Sequence, residues 1–406
     1  MVSAVSPFDP RRRAELLAVA RDVFAELGFE AATLREIADR MGLTAGSLYH
    51  YIDSKQSLLA AVMQSFQEPP IALARPVPGD GTPVAERLTA LMREHVEIIT
   101  ADRPGMALAM TELDSMPQPA RSMLRDRMRE YRRAIEDLLR VGQASGQLRA
   151  GFDPALATMA VLGALNWTSR WLQPDGRLSP GEVGEQLADL LLYGLASPDA
   201  TLGPELVVEP PASGSIPQGR GRQVWEAAAH LFRTQGVANS SIQDLADAVG
   251  LGKSSLYHYI TTKEQLLFDV IREAEEGAVD ALEAVVARPE PAIDRLYAAI
   301  RYDVRYLIEH LDSTSLALHA VRELEPGHRE IVVALVRRYA AAFEALIGAG
   351  RAEGSLRDQP EAVVALRGSI GVMSWTYRWY RPRGAGDAAR VADGLADVLM
   401  HGLAER

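Results

Sequence analysis

The chain carries the same sequence pattern twice, at a constant spacing. Residues 34–59 read LREIADRMGLTAGSLYHYIDSKQSLL and residues 242–267 read IQDLADAVGLGKSSLYHYITTKEQLL, and the two segments align without a gap. Aligned positions lie 208 residues apart, and the same spacing relates Tyr131 to Tyr339 and Trp167 to Trp375. Because a repeat of this length is long enough to hold a complete structural unit, the sequence predicts two copies of one fold in tandem.

Composition narrows the classes of function. The 406 residues include no cysteine, which excludes disulfides and cysteine-based zinc sites. The formal net charge of -11 argues against a protein that coats nucleic acid by bulk attraction. A sequence-specific binder is still allowed, because phosphate contacts need donors on one face only. The chain opens without a signal-like segment and contains no run of eighteen apolar residues, so we expect a cytoplasmic protein that does not enter a membrane.

The spacing of apolar residues indicates an all-α fold, since in every long segment they recur with helical periodicity. Within the first copy of the repeated segment, Thr33 and Glu36 have the spacing of a capping box, and Gly42 ends the short helix that follows. Thr44 can cap the next helix, which we expect to run from Ala45 to about Tyr51. Two short helices joined by a tight turn with a glycine are typical of a helix-turn-helix (HTH).

A stretch rich in Pro, Gly and Ser separates the two copies and predicts a linker. The predicted boundaries are 9–60 for HTH domain 1, 61–197 for helical domain 1, 198–220 for the linker, 221–268 for HTH domain 2 and 269–406 for helical domain 2.

Each half of the chain resembles the TetR/AcrR family of one-component transcriptional regulators. The resemblance is carried by Leu48-Tyr49-His50-Tyr51 with Lys55, and it covers nearly all of the chain except the linker. It implies two tandem units, each with an N-terminal three-helix HTH domain and a helical domain for ligand binding and dimerisation, whose last two helices pair in a four-helix bundle. A double-stranded DNA operator and a small-molecule effector are the implied partners, and no cofactor is expected.

The resemblance also assigns DNA-binding residues. The positions implied to face base edges are Thr44, Ala45, Gly46 and Ser47 in HTH domain 1, and Gly252, Lys253, Ser254 and Ser255 in HTH domain 2. The implied phosphate contacts are Thr33, Tyr49, His50 and Lys55 in the first domain and Ser241, Tyr257, His258 and Lys263 in the second, and Arg35 and Gln243 complete the set. The alternative is that these are ordinary surface residues of compact helices. No metal site or catalytic base is expected, because neither His50 nor His258 has a partner at ligand spacing.

The base-facing residues differ between the copies, TAGS in one and GKSS in the other. The first hypothesis is therefore a single-chain pseudo-dimer on an asymmetric operator, in which Lys253 can approach guanine where Ala45 cannot. A homodimer of chains with four HTH domains is the rival hypothesis.

A second repeated motif lies near the end of each half. Trp167, Arg170 and Trp171 have the spacing of one helical face, as do Trp375, Arg378 and Trp379. This favours a cation-π cluster at a ligand cavity, and a structural stack that anchors the last helices is the alternative. The W-x-x-R-W motif resembles family members that sense acyl-CoA thioesters, which implies an acyl-CoA-like effector. Met110, Tyr131 and Tyr339 complete the predicted ligand-binding set.

The function expected from these features is a DNA-binding regulator, a repressor that a ligand releases. An enzyme that uses the helical cavity, for example to hydrolyse an acyl thioester, is the alternative from a different class. No Ser-x-x-Lys, paired-carboxylate or Ser/His/Asp spacing supports it. A regulator that binds DNA without any small-molecule ligand is the third hypothesis.

Overall fold

The computed structural model describes residues 10–29, 31–65, 71–75, 81–111, 118, 120–173, 175–209, 219–381, 384 and 386–402. Within these ranges the protein is α-helical and contains no β-strand beyond an isolated bridge between Ala196 and Leu356, which confirms the all-α prediction. None of the helices in the described ranges combines the length and the apolar character that a bilayer crossing requires.

The helices of the two repeats follow one another in the same order. The first repeat contains α1 (Pro10–Leu27), α2 (Leu34–Arg40), α3 (Ala45–Leu48), α4 (Lys55–Gln64), α5 (Ile71–Ala74), α6 (Val84–Ala101), α7 (Arg103–Thr111), α8 (Ala120–Ala144), α9 (Pro154–Trp171) and α10 (Pro180–Tyr193). The second contains α11 (Arg220–Gln235), α12 (Ile242–Ala248), α13 (Lys253–Leu256), α14 (Lys263–Val286), α15 (Ala292–Glu309), α16 (Leu311–His319), a 3-10 turn (Ala320–Glu323), α17 (Pro326–Ala352), α18 (Ala362–Ser374), α19 (Thr376–Trp379) and α20 (Asp387–His401).

Two compact units make up the chain. The first comprises residues 1–150 and 165–188, and the second comprises residues 151–164 and 189–404. The division therefore falls inside helices α9 and α10 and not in the predicted linker. As a result, the second unit contains helical segments from both repeats.

Local sequence explains both HTH domains. In the first, Gly42 adopts a φ of 64° in the turn between α2 and α3, a conformation that favours glycine. Ala38 is fully buried beside this turn and Leu48 is buried at the end of α3. The predicted capping box is only half formed: Thr33 accepts a hydrogen bond from the Glu36 N–H at 3.1 Å, while the Glu36 carboxylate pairs with Arg40 at 3.0 Å. In the second domain, Ser241 and Asp244 form the complete box.

The recognition helices are shorter than predicted. Helix α3 ends at Leu48 and not near Tyr51, because the Tyr51 N–H closes a tighter turn onto the Leu48 carbonyl at 2.8 Å. Helix α13 ends in the same way at Leu256, where the Tyr259 N–H bonds the Leu256 carbonyl at 2.9 Å. Each helix therefore presents a single turn of side chains.

The helices that leave the two HTH domains differ in length. Helix α4 has 10 residues, and Pro69-Pro70 follows at positions outside the described residues. Helix α14 has 24 residues and continues from HTH domain 2 into helical domain 2. The aligned positions in α14 are Gly277 and Ala278, which can stay in a helix where proline removes a backbone donor and clashes.

In the second unit, the ends of α10 and α20 are joined by backbone hydrogen bonds. The Leu195 N–H bonds the Leu399 carbonyl and the Ala196 N–H bonds the Met400 carbonyl, both at 2.9 Å. Next to them, the Arg357 guanidinium donates to both carboxylate oxygens of Asp189 at 2.9 Å. Residues from the two repeats therefore share one backbone network inside this unit.

The first part of the linker is attached to the second unit. The Gly203 N–H donates to Asp294 Oδ1 at 2.6 Å, and Glu205 pairs with Arg301 at 2.7 Å. Arg288 donates to the Val207 carbonyl at 3.1 Å. Residues 203–207 of the predicted linker thus lie along the start of α15.

Candidate nucleic-acid interface

The N-terminal turn of α3 has its hydroxyl groups bonded to each other. The Thr44 hydroxyl accepts a hydrogen bond from the Ser47 N–H at 3.3 Å, and the two hydroxyl oxygens lie 2.8 Å apart. Gly46 between them has no side chain, and the Ala45 side chain lies outside the described part of the structure. Two of the four predicted base-facing positions in this domain therefore carry polar groups, and those groups are partly satisfied by one another.

The aligned turn of α13 is arranged differently. Gly252 occupies the N-cap position and supplies no side-chain cap. Lys253, Ser254 and Ser255 are exposed, and their side chains make no hydrogen bond or ion pair within the described residues. All three are polar, so this turn offers one ammonium and two hydroxyl groups to a ligand.

The aromatic pair after each recognition helix points outward. Tyr49 is 60% exposed and Tyr257 is 50% exposed, which is far more than expected for tyrosines used only for packing. His50 and His258 are also exposed. The structure therefore places both predicted phosphate-contacting pairs on the surface.

The N-terminal positions of α2 and α12 lie beside these turns. Thr33 and Ser241 use their hydroxyl oxygens as helix N-caps, and each hydroxyl group keeps its own hydrogen available to donate. Arg35 is 85% exposed, and Asp39 is 4.0 Å away at the limit of an ion pair. Gln243, at the aligned position, donates to Asp247 at 2.8 Å. The two domains therefore differ at this position as well.

Lys55 and Lys263 have structural partners. The Lys55 ammonium donates to the carbonyls of Phe29 at 2.8 Å and Ala32 at 3.0 Å. The Lys263 ammonium donates to the carbonyls of Val237 at 2.9 Å and Ser240 at 3.1 Å. These bonds tie the last HTH helix to the loop before the second helix. The geometry favours a bracing role over the phosphate contact predicted for both lysines.

In helical domain 1, Tyr131 belongs to a buried polar pair. Its hydroxyl lies 2.8 Å from His95 Nδ1, and the two rings stack 5.5 Å apart. Burial lowers the pKa of His95 to about 4, against a smaller opposing effect of Asn166, and burial raises the pKa of Tyr131. At neutral pH the pair is therefore uncharged.

Helical domain 2 has a carboxyl group at the aligned position. The Tyr339 hydroxyl donates to Asp303 Oδ2, and Asp303 aligns with His95. Burial raises the pKa of Asp303 to about 7, although the bond from Tyr339 acts in the opposite direction. Burial also raises the pKa of Glu275 to about 7, and Glu275 contributes to the raised pKa of Tyr339. The two predicted cavity tyrosines therefore lie in environments of different charge.

The first tryptophan motif has the predicted cation-π geometry. The Arg170 guanidinium carbon lies 4.6 Å from the centre of the Trp167 ring, and Trp167 is only 8% exposed. The Trp171 Nε1 group is buried without a hydrogen-bond partner within the described residues. The Met110 side chain, predicted to share this region, lies outside them.

The second tryptophan motif does not lie on one continuous helix, so that prediction is wrong for Trp375, Arg378 and Trp379. Helix α18 ends at Ser374 and α19 begins at Thr376, with Trp375 at the junction. Arg378 still lies 5.7 Å from the Trp375 ring, and Trp379 Nε1 is buried without a hydrogen-bond partner within the described residues.

Family models match both repeats. The model for bacterial regulatory proteins of the tetR family matches residues 16–62 and 224–270. The model for the tetracyclin repressor-like C-terminal domain matches residues 81–195 and 289–403. The chain belongs to the TetR family. The tandem duplication of the family unit, predicted from the spacing of the repeats, is confirmed by these paired matches.

Relatives in the family are similar to one repeat at a time. The HTH-type transcriptional repressor KstR2 of Rhodococcus jostii is 33% identical over 189 residues, which is 46% of this chain and 92% of that protein. The structure of the ketosteroid transcriptional regulator KstR2 of Mycobacterium tuberculosis is 29% identical, with a TM-score of 0.41, over 46% of this chain and 96% of that one. The structure of AibR in complex with isovaleryl coenzyme A and operator DNA is 25% identical, with a TM-score of 0.39, over 44% of this chain and 97% of that one. The matched family model describes bacterial regulatory proteins, and the Rhodococcus relative is named as a transcriptional repressor, so the protein is a regulator and not an enzyme.

Sequence reasoning missed the buried histidine beside Tyr131 and the partly buried aspartate beside Tyr339. The signal was present, because His95 and Asp303 align at the same spacing as the other repeated residues. The two residue types differ, however, so the alignment of the repeats shows no shared residue at this position. Only their contacts with the aligned tyrosines show that the two positions correspond.

Proposed function

We propose that the protein is a cytoplasmic repressor that binds an asymmetric operator as a single-chain pseudo-dimer and that a small molecule releases it. TetR-family membership supports DNA binding, and the name of the Rhodococcus relative supports repression. The residues proposed to bind DNA are those predicted from the sequence, with Lys55 and Lys263 reassigned to bracing.

The pseudo-dimer is supported chiefly by the backbone bonds between the ends of α10 and α20. These helices come from different repeats of one chain. A conventional regulator of this family would need a second chain to bring two such helices together. One guanidinium nitrogen of Arg357 donates to both carboxylate oxygens of Asp189, which adds a charge-assisted contact in the same place.

The asymmetric operator is supported by the side chains at the starts of α3 and α13. An exposed lysine and two exposed serines can donate to base edges, and lysine pairs well with the acceptors of guanine. The Thr44 and Ser47 hydroxyls, which bond each other, offer a different pattern. Two half-sites read by these turns should therefore differ in sequence.

The effector is proposed to be an acyl-CoA-like molecule bound in a helical domain. The proposal draws on the W-x-x-R-W resemblance and on Arg170, whose guanidinium group next to Trp167 can pair with a carboxylate or a phosphate. Release requires that the effector bind more tightly to a state whose HTH domains no longer fit major grooves about 34 Å apart.

The test is to select bound sequences from a random DNA pool with the full chain, and to measure the mass of the complex. We expect one chain per operator and two unlike half-sites. Tyr49→Ala with His50→Ala should remove protection of one half-site, and Tyr257→Ala with His258→Ala should remove the other. A perfect palindrome bound by one chain would contradict the asymmetric operator, and two chains per operator would support the four-domain homodimer instead.

A further inference from the structure

Within the repeated segments 34–59 and 242–267, each HTH domain has one long cationic side chain that is exposed and not held by a close partner, and the two cations sit on different helices. In the repeated segment of HTH domain 1 the cations are Arg35, Arg40 and Lys55. Arg40 pairs with Glu26 at 2.6 Å and Glu36 at 3.0 Å, and Lys55 donates to two carbonyls. Arg35 is 85% exposed, and its ion pair with exposed Asp39 at 4.0 Å is of the weak surface kind.

The repeated segment of HTH domain 2 has its available cation on a different helix. The cations of the aligned segment are Lys253 and Lys263. Lys263 is held by two carbonyls, whereas Lys253 is exposed at the start of α13. The position aligned with Arg35 is Gln243, and the position aligned with Lys253 is Ala45.

We propose that Arg35 of α2 contacts a guanine in one half-site and that Lys253 of α13 contacts a guanine in the other. The guanine then lies at a different base-pair position in each half-site. This inference rests on the proposed function, because it assumes that both domains contact one operator. Arginine and lysine both donate to the O6 and N7 acceptors of guanine in the major groove. Alanine cannot donate there, and glutamine pairs preferentially with adenine.

The position of each cation sets which base pair it reaches. Arg35 is the second residue of α2, and Lys253 is the first residue of α13. In an HTH the second helix of the motif enters the major groove and the first crosses the backbone beside it, so side chains from the two helices approach from different directions. The Thr44 and Ser47 hydroxyls, bonded to each other, leave α3 with weaker base donors than α13. HTH domain 1 therefore depends on α2 for discrimination.

An exchange of residues between the two domains tests this. The full chain carrying Arg35→Gln and Ala45→Lys is used to select operators from the same random DNA pool as the unchanged protein. In the half-site contacted by HTH domain 1, the selected guanine should move to the base-pair position that it occupies in the half-site contacted by HTH domain 2. The selected operator should then be nearly palindromic. The reciprocal pair, Gln243→Arg with Lys253→Ala, should give a near-palindrome of the other type.

Single changes separate base reading from phosphate binding. Lys253→Ala should cost roughly tenfold in affinity for operators with the selected guanine and leave operators changed at that position unaffected. Arg40→Ala, which removes a cation already paired inside the domain, is the matched control and should leave the selected sequence unchanged. A uniform loss across all sequences in Lys253→Ala would overturn the inference while leaving the proposed function intact. If the unchanged chain selects no sequence at all, the proposed function itself fails.

Discussion

Tyr339 donates its hydroxyl hydrogen bond to Asp303, and the aligned residues Tyr131 and His95 form the corresponding pair in the first repeat. The pair in the first repeat is buried and the pair in the second is partly buried, and one contains an acid and the other a base. Burial disfavours the charged form in each case, so it raises the pKa of the acid and lowers the pKa of the base. The duplicated domains should therefore respond to pH in opposite directions.

For helical domain 2, we expect stability to fall as pH rises through neutrality. The pKa of Asp303 is about 7 in the folded protein, against an ordinary value of 3.8, so the folded state holds a proton that the unfolded state has lost. The stabilisation is complete below pH 4 and is lost as pH rises through about 7. Each such group contributes at most about 1.4 kcal/mol per pH unit.

Asp303→Asn tests this expectation, because asparagine keeps an acceptor for Tyr339 but cannot lose a proton. Hydrogen exchange of α15 and α17 peptides, corrected for intrinsic rates, should become less dependent on pH between 6 and 8. Glu273 and Glu275 also have pKa values raised to about 7, so a residual dependence should persist that the added change Glu275→Gln reduces further. An unchanged pH profile in both variants would contradict the assignment.

For helical domain 1, acid should be destabilising. The pKa of His95 falls from 6.5 to about 4 on folding. Between these two pH values the unfolded state binds a proton at His95 and the folded state does not. The stability present above pH 6.5 is then lost as pH falls toward 4. In His95→Gln, exchange of α6 and α8 peptides should be less sensitive to acid than in the unchanged protein. The same peptides in Asp303→Asn serve as the control and should keep the original acid response.

Mutation should separate the role of Lys55 in stabilising HTH domain 1 from a role in DNA contact. Lys55→Met leaves the carbonyls of Phe29 and Ala32 without this donor, which should cost about 1–3 kcal/mol of stability in HTH domain 1. His50→Ala, at an exposed position, should weaken operator binding without lowering the thermal midpoint. If Lys55→Met reduces DNA affinity while its thermal midpoint stays unchanged, the lysine binds phosphate as the sequence first predicted.

Close packing in the second unit can be tested with two glycines. A Cβ atom at Gly163 would lie 2.9 Å from the Gly371 carbonyl oxygen and 2.9 Å from Trp375 Cβ. Gly163→Ala should therefore destabilise the unit by about 1–3 kcal/mol, because the α9 and α18 backbones must separate. Gly348→Ala in α17 is the control, since the added Cβ would meet no atom within 4 Å beyond the helix's own nearby backbone, and it should stabilise the helix by about 0.5–1 kcal/mol. Chemical denaturation with matched slopes would measure both changes.

Features encoded within a few residues could be predicted from the sequence. The HTH turns follow from Gly42, Ala38 and buried Leu48, all within one short segment. The partners of Lys55 are 26 and 23 residues away, and Gly203 meets Asp294 across 91 residues. Periodicity and capping rules describe neighbours along a helix, and they carry no information about such distant pairs.

The tryptophan motif shows the same limit at shorter range. W-x-x-R-W predicts one helical face in both repeats, and only the first repeat keeps it. In the second, the helix ends at Ser374, and the chain continues to Tyr380 through Trp375 and a separate four-residue helix. Four identical residues at equal spacing, in WTSRW and WTYRW, therefore lie within one helix in the first repeat and across a helix junction in the second.

The backbone bond from the Leu195 N–H to the Leu399 carbonyl joins residues of the two repeats within one chain, and in the proposed pseudo-dimer this arrangement affects how operator occupancy depends on concentration. A homodimeric repressor separates on dilution, and below its dissociation constant its operator occupancy follows the square of the subunit concentration. In the proposed pseudo-dimer the two HTH domains belong to one covalent chain and cannot separate in this way, so occupancy should follow the first power of the chain concentration. Such a pseudo-dimer would repress at low copy number, and a substitution in one HTH domain should alter one half-site while the other is still bound.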